Sequence, residues 1–393
     1  MKIVTFSTLF PNAAQPHHGV FVENRLRHLL ASGAVTARVI APVPWFPCES
    51  RHFPAYSAFA RAPRHEVRHG VMIDHPRYAQ LPRVGMTLAP ALLYLGAWRA
   101  FRALQESGED FDLIDAHYFY PDGVAAAMLA RRLKKPFTIT ARGTDINLIP
   151  AYALPRRMIL KAAAAADGLI TVCQALKDEM THLGVAADRI TVLRNGVDLV
   201  MFRPGDRARF RAALDLSGPT LLSVGLLIPR KGHDLVIRAL ADLPGYTLLI
   251  AGDGPDGEAL GSVAAAAGVA DRVRFLGRVA HDQLPCLYGA ADALVLASSR
   301  EGWANVLLEA MACGTPVIAS NVWGTPEVVS VPEAGVLMTE RTASGVADGV
   351  RRLFAALPDR HATRAYAEQF SWDATTQGQI ELFRSILARR AGT

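Results

Sequence analysis

Residues 293–320 read ALVLASSREGWANVLLEAMACGTPVIAS. ALVLAS is apolar without alternation, the pattern of a strand buried on both faces of a parallel sheet, and PVIAS repeats it after a break at Gly314. The small and apolar residues between them form a helix that ends at that glycine. Glu301 therefore falls on the loop at the first strand's carboxyl end, where open α/β sheets bind ligands. Glu309 follows eight positions later, about two helical turns on, and Gly302 between them lets a ligand approach the backbone. Two carboxylates so spaced suit the hydroxyls of a polyol. Solvated glutamates on a surface helix would give the same letters.

Working outward, apolar runs alternate with helical segments in two successive sets. The first holds KIVTFST, ARVIAPV, LIDAH, FTITA, LITV and ITVLR; the second holds TLLSVG, YTLLIAG, RVRFLG, ALVLAS and PVIAS. This alternation predicts an α/β protein with two doubly wound, Rossmann-like parallel sheets. Between the sets, residues 195–206 (NGVDLVMFRPGD) carry Asn-Gly and Pro-Gly turn signals and suit a hinge. The predicted domains are 1–198 and 199–370, with the cleft between them as the expected site. After Phe370, SWDATTQGQIELFRSILARR reads as a helix capped by Ser371.

The 393 residues exceed one comfortable core, and 51% hydrophobic with 20% charged residues describe an ordinary globular chain. Cys48, Cys173, Cys286 and Cys313 lie far apart and read as small buried hydrophobes of a reducing compartment. MKIVTFSTLFPN enters a strand directly and lacks the plan of a signal peptide. No run reaches the roughly 18 apolar residues of a membrane span. Residues 84–98 (VGMTLAPALLYLGAW) contain Pro90 and lie between Arg77, Arg83, Arg99 and Arg102. They read as a core helix, or as a helix resting on an anionic membrane surface. The formal charge of +6 resides in the first half, which carries +7 over residues 1–200 against −1 for the rest. An acidic acceptor, a phospholipid surface or plain solubility accounts for it. No basic helix interleaved with aromatics points to nucleic acid.

Several further segments, HHGVFVENRLRHLL, FDLIDAH, TARGTDIN, RNGVD, SVGLLIPRKG and LLIAGDGP, together with the two-glutamate block, occur in an order that resembles the retaining, nucleotide-sugar-dependent glycosyltransferases of family 4, with the GT-B fold. The resemblance runs along nearly the whole chain. It implies an acceptor-binding first domain, a donor-binding second domain, and a final helix, 371–393, crossing back to the first.

PRKG (229–232) follows the strand TLLSVG, so Arg230 and Lys231 are expected to open the next helix and stabilise the charge growing on a departing diphosphate. A solvated basic turn is the plain alternative. The family's usual Arg directly after the strand glycine is Leu226 here. The resemblance implies that Glu301 orients the donor sugar and Glu309 binds the ribose. It extends donor contacts along Gly302, Trp303, Ala304, Asn305 and Val306, places the glycine turn Gly252 and Gly254 in the nucleotide pocket, and sets Arg278 and Val279 at the base. Gly19 is expected to let the first loop approach the diphosphate, with His18 where relatives often have a second glycine.

His117 ends the strand FDLIDAH and faces the expected cleft, where a neutral ring suits a sugar hydroxyl. Arg142 and Asp145 of TARGTDIN face the same way. Arg142, where many relatives have His, suits a negatively charged acceptor or a diphosphate, and an Arg–Asp ion pair within the loop accounts for the two residues equally well. With His117, the catalytic set implied is Glu301, Lys231 and Arg230.

Two motifs point elsewhere. GDGPDG (252–257) satisfies G-x-G-x-x-G after a strand, but the next strand ends in Gly277 and Arg278 instead of the acidic residue of a dinucleotide site. Asp110-Phe111-Asp112 spells D-x-D yet precedes its strand and reads as a solvated loop. No cluster has metal-ligand spacing, so no metal and no cofactor is expected. The leading function is hexose transfer from a UDP- or GDP-sugar to a polysaccharide or lipid-linked acceptor in the cytoplasm. A sugar-nucleotide epimerase or other GT-B enzyme, and a nicotinamide-dependent oxidoreductase, are the alternatives.

Overall fold

The computed structural model describes residues 1–46, 54–80 and 85–391. Cys48, Arg83 and Val84 lie outside them. The chain divides into two compact units, Met1–Asn195 with Asp373–Thr393, and Gly196–Trp372. The first unit contains strands β1 (Lys2–Phe6), β2 (Thr36–Ile40), β3 (Val43–Pro44), β4 (His65–Arg68), β5 (Val71–Asp74), β6 (Arg77–Tyr78), β7 (Leu113–His117), β8 (Phe137–Ala141), β9 (Gly168–Thr171) and β10 (Ile190–Val192). The second contains β11 (Thr220–Val224), β12 (Thr247–Ala251), β13 (Val273–Gly277), β14 (Ala293–Leu296), β15 (Val317–Ser320) and β16 (Gly335–Met338).

The second unit's sheet runs β13-β12-β11-β14-β15-β16, parallel throughout. Its order reverses between β11 and β14, which makes the carboxyl edge at those two strands the switch point where open α/β sheets bind ligands. Leu221, Leu248, Ile250, Val295 and Ile318 pack beneath it with residues of the flanking helices. The first unit's sheet runs β10-β9-β8-β7-β1-β2-β5-β4, with its own reversal between β1 and β7. Only β4 is antiparallel there, pairing β5 at the edge.

Every apolar run read as a strand is one. The short strands β4, β5, β6 and β16 had no such run, and β3 begins at the last residue of ARVIAPV. β4 (HEVR) carries one apolar side chain, Val67, which is exposed, and an edge strand needs no buried face. The helix Trp372–Ala391 follows Ser371 and belongs to the first unit, where Ile380, Phe383 and Ile386 enter the core with Ile3, Val22 and Leu113.

Two local expectations are corrected. Cys173 and Cys313 are buried, but Cys286 is exposed. Arg230 and Lys231 lie on a 3-10 turn, Pro229–Lys231, and the α-helix begins at His233. Gly232 separates the two with φ +69°, and a Cβ there would meet the Ala297 carbonyl oxygen at 2.2 Å. The cations thus precede the helix. In the D-x-D segment both aspartates are exposed, as a solvated loop requires; Asp110 pairs with Lys135, and Asp112 accepts the Lys2 amide at 2.8 Å.

Candidate functional site

At the switch point of the second unit, the turn after β11 and the loop after β14 are stitched together. The Ser299 amide donates to the Arg230 carbonyl (2.8 Å), and Arg230 Nη1 donates to the Arg300 carbonyl (2.9 Å). Lys231 Nζ lies 2.7 Å from Glu301 Oε1, with Arg230 Nη1 at 3.5 Å. Burial alone would raise the Glu301 carboxyl, but Lys231 and then Arg230 hold it below its ordinary value. The result is a buried carboxylate beside two cations, at the place where such sheets receive ligands.

The glycines on the neighbouring loop are required by the backbone. A Cβ on Gly252 would stand 1.8 Å from the Gly225 carbonyl oxygen, and one on Gly254 would stand 2.4 Å from that of Leu227. Loops after β11 and β12 therefore lie flat on each other. His233 fixes the first of them: Nε2–H donates to the Leu226 carbonyl (3.2 Å) and Nδ1 accepts from Ser223 Oγ (2.9 Å). Burial depresses its pKa to about 4, so the ring is neutral.

Glu309 lies on the helix Asn305–Ala312 and is buried. Tyr288 Oη donates to its Oε2 (2.8 Å), and His281 Nε2 approaches its Oε1 at 3.3 Å. The Glu309 contact raises the His281 pKa against the opposing effect of burial. Gly302, Trp303 and Ala304 are buried, Asn305 and Val306 half-buried, and Trp303 packs 6.2 Å from Phe370. Arg278 is exposed and pairs with Asp253, and Val279 is half-buried beside it. Sequence reading found both glutamates but missed Tyr288 and His281, which stand in no motif.

In the first unit, Gly19 (φ +69°) opens the helix Val20–Ala31, and a Cβ there would strike the Leu9 carbonyl at 2.3 Å. His18 is exposed and its Nε2–H donates to the Thr8 carbonyl (3.0 Å). Asp122, fully buried, accepts from the Thr8 amide (2.7 Å), Thr8 Oγ1 (2.9 Å) and Ser7 Oγ (3.3 Å), pinning the start of the same loop. Burial raises its pKa to about 7 against those hydrogen bonds.

His117, Arg142 and Asp145 are brought together. Arg142 Nη2 donates to His117 Nδ1 (2.6 Å), so the ring proton sits on Nε2, which donates to Asp115 Oδ2 (3.1 Å). Burial depresses the His117 pKa to about 4. Arg142 Nη1 donates to Asn195 Oδ1 (3.0 Å). The expected alternative of an Arg142–Asp145 side-chain pair is not what forms: Asp145 accepts backbone amides of Phe119 (2.7 Å), Gly143 (2.7 Å) and Arg142 (3.1 Å). Beneath them Gln379 joins Asp115 (2.9 Å) to Arg25 (2.8 Å). Both ring nitrogens of His117 are thus engaged within the unit. Gln379 and Asn195 were missed because their partners, Asp115 and Arg142, are far away in sequence.

Among the described residues, no group of three or more His, Cys, Asp or Glu side chains is placed to hold a metal ion.

Residues 19–200 match Glycosyltransferase Family 4, and residues 206–370 match Glycosyl transferases group 1. A D-inositol 3-phosphate glycosyltransferase of Frankia alni is 33% identical over 358 residues, 83% of this chain and 87% of the relative. Among solved structures, sucrose-phosphate synthase from Thermosynechococcus elongatus superposes with a TM-score of 0.81 at 22% identity, covering 99% of this chain and 100% of that one. Anabaena HepE in complex with UDP-glucose gives 0.73 at 23%, covering 98% and 99%. Two doubly wound units, a buried carboxylate–cation cluster at the switch point and this kinship lead to one assignment: the chain belongs to the GT-B glycosyltransferases of family 4, transferases that move sugar from activated donors.

Proposed function

We propose that the protein transfers a hexose, with retention, from a UDP- or GDP-sugar to a polysaccharide or lipid-linked saccharide, without a metal. The observation that carries this reading is the Lys231–Glu301–Arg230 cluster on the loops after β11 and β14. Breaking the bond between the anomeric carbon and the diphosphate oxygen leaves negative charge on the diphosphate, and fixed cations stabilise charge that grows there. Lys231 and Arg230 supply it. Glu301, released from Lys231 as the diphosphate takes the ammonium, accepts hydroxyls of the donor sugar, and Glu309 accepts those of the ribose. The acceptor oxygen bonds the anomeric carbon on the face the phosphate leaves, and its proton passes to a phosphate oxygen. Arg278 and Val279 border the base.

On the acceptor side, the terminal nitrogens of Arg142 are committed to His117 and Asn195. Acceptor recognition therefore falls to the backbone of 117–119 and 142–143, held by Asp145 and His117, and to the loop bearing His18 and Gly19. The activity of the D-inositol 3-phosphate glycosyltransferases adds a phosphorylated polyol to the acceptors worth offering.

A lipid-linked acceptor fits a second observation. The helices Ala89–Glu106, Val124–Leu133 and Ala153–Ala165 pack side by side. These helices and the residue before the third expose Leu95, Tyr152 and Leu154, and with them Arg99, Arg131, Arg132, Arg156, Arg157 and Lys161. Their acidic residue, Glu106, is paired with Arg102. Apolar side chains within a field of one sign suit peripheral attachment to an anionic membrane at its cytoplasmic face. Among the described residues, no helix is long and apolar enough to cross one.

The test is mass detection of products from UDP-, GDP- and ADP-sugars, with and without EDTA, offered saccharide, lipid-linked and inositol phosphate acceptors. Transfer undiminished by EDTA is expected. Donor consumption without acceptor would point to another GT-B activity, and turnover lost in EDTA and restored by Mg²⁺ would overturn metal independence.

A further inference from the structure

Glu309 has both carboxylate oxygens engaged, and the two donors come from different elements. Tyr288 reaches Oε2 from the helix Leu284–Ala290; its ring is fully buried and its carbonyl accepts from Thr315 Oγ1 at 2.5 Å. His281 reaches Oε1 from the turn after β13. Phe202 braces both, its ring edge-on to His281 at 5.2 Å and to Tyr288 at 6.0 Å. Phe202 is itself held: Arg364 Nη1 donates to its carbonyl (2.6 Å) and to that of Ala312 (2.8 Å), the last residue of the helix bearing Glu309. A buried carboxylate with one donor on each oxygen and an aromatic wedge behind both donors has a single orientation open to it.

We propose that Tyr288 and His281 are positioning residues that aim the Glu309 carboxylate at a vicinal diol of the donor nucleotide, so that they set the preference for ribose over a sugar lacking those hydroxyls. This rests on Glu309 meeting the ribose, as proposed above. Each carboxylate oxygen keeps a lone pair beyond its protein donor. The two donors fix where those lone pairs point, which a diol can match and an isolated hydroxyl cannot. A tyrosine buried in this way donates throughout the working pH range, because burial and then Glu309 push its pKa well up.

The test compares binding of UDP and GDP with their 2′,3′-dideoxy forms by calorimetry, in the parent and in Glu309→Gln, Tyr288→Phe and His281→Gln, with melting as a control for folding. Hydrogen bonds to a charged group imply that the parent favours the ribose form by roughly 10-fold or more. Tyr288→Phe, which removes one oxygen and keeps the ring, should reduce that ratio to within about threefold while dideoxy binding stays unchanged. His281→Gln, at a half-buried site, should reduce it in the same direction and is insulated from core effects. A ratio that collapses in Glu309→Gln but survives in both Tyr288→Phe and His281→Gln overturns this inference and leaves the ribose assignment standing. A parent that binds both forms equally, or a ratio unmoved by Glu309→Gln, removes the ribose assignment itself.

Discussion

Asp122 and His117 are buried within one unit and respond to protons in opposite directions. Asp122 has a folded pKa of about 7 against an ordinary 3.8, so its contribution is fully present at low pH and is lost as pH rises through about 7. His117, depressed to about 4 from 6.5, contributes above pH 6.5 and loses that contribution as pH falls through about 4. Together they flatten the pH dependence that either would impose alone. Asp122→Asn keeps an acceptor for the Thr8 amide and removes the buried charge. Its melting temperature relative to the parent should rise steadily from pH 4 to pH 8, by several degrees. A difference that stays flat over that range would mean Asp122 does not titrate within it.

Among elements, the face formed by Ala89–Glu106, Val124–Leu133 and Ala153–Ala165 makes a measurable claim. Each Lys or Arg held near an anionic surface contributes about 1 kcal/mol, lost within a Debye length as salt rises. Vesicles containing phosphatidylglycerol should sediment the protein at low salt and release it at high salt, and phosphatidylcholine alone should not. Reversing Arg131, Arg132 and Arg156 to Glu should abolish binding. Binding unaffected by that reversal would move attachment elsewhere, and no binding at either salt would leave the charge as solubility and favour a soluble acceptor. This face was half legible in the sequence. The arginines around residues 84–98 were visible, but Tyr152 and Leu154 join them only through helix packing. The same contrast runs through the sites. Long apolar strands announce themselves by composition, and Glu301 by following one. The edge strand β4 needs no buried face and leaves no such trace. Tyr288 finds Glu309 across two elements, and Gln379 finds Asp115 across 264 positions, so no local pattern marks either.

For the whole molecule, the two units differ in how the chain builds them. Gly196–Trp372 is one continuous segment with its own core, whereas the other unit is closed by the helix Trp372–Ala391. Expressed alone, residues 196–372 should fold, melt cooperatively and bind UDP or GDP. Residues 1–195 alone lack Ile380, Phe383 and Ile386 from their core and leave Arg25 and Asp115 without Gln379. Supplying the 373–393 peptide should restore near-ultraviolet circular dichroism to that fragment. A fully folded 1–195 fragment would make the closing helix dispensable.

On the ribosome, this arrangement reverses the order of birth. The first unit's long segment leaves the exit tunnel before the second unit, yet its last core element is made only after that second unit. At roughly 5–20 residues per second, the 1–195 segment waits on the order of tens of seconds for that helix while the later segment is translated and folds. Through that interval a sheet studded with buried charges stands open along one flank, and nascent-chain chaperones have their longest opportunity there. The unit that emerges first is the one completed last.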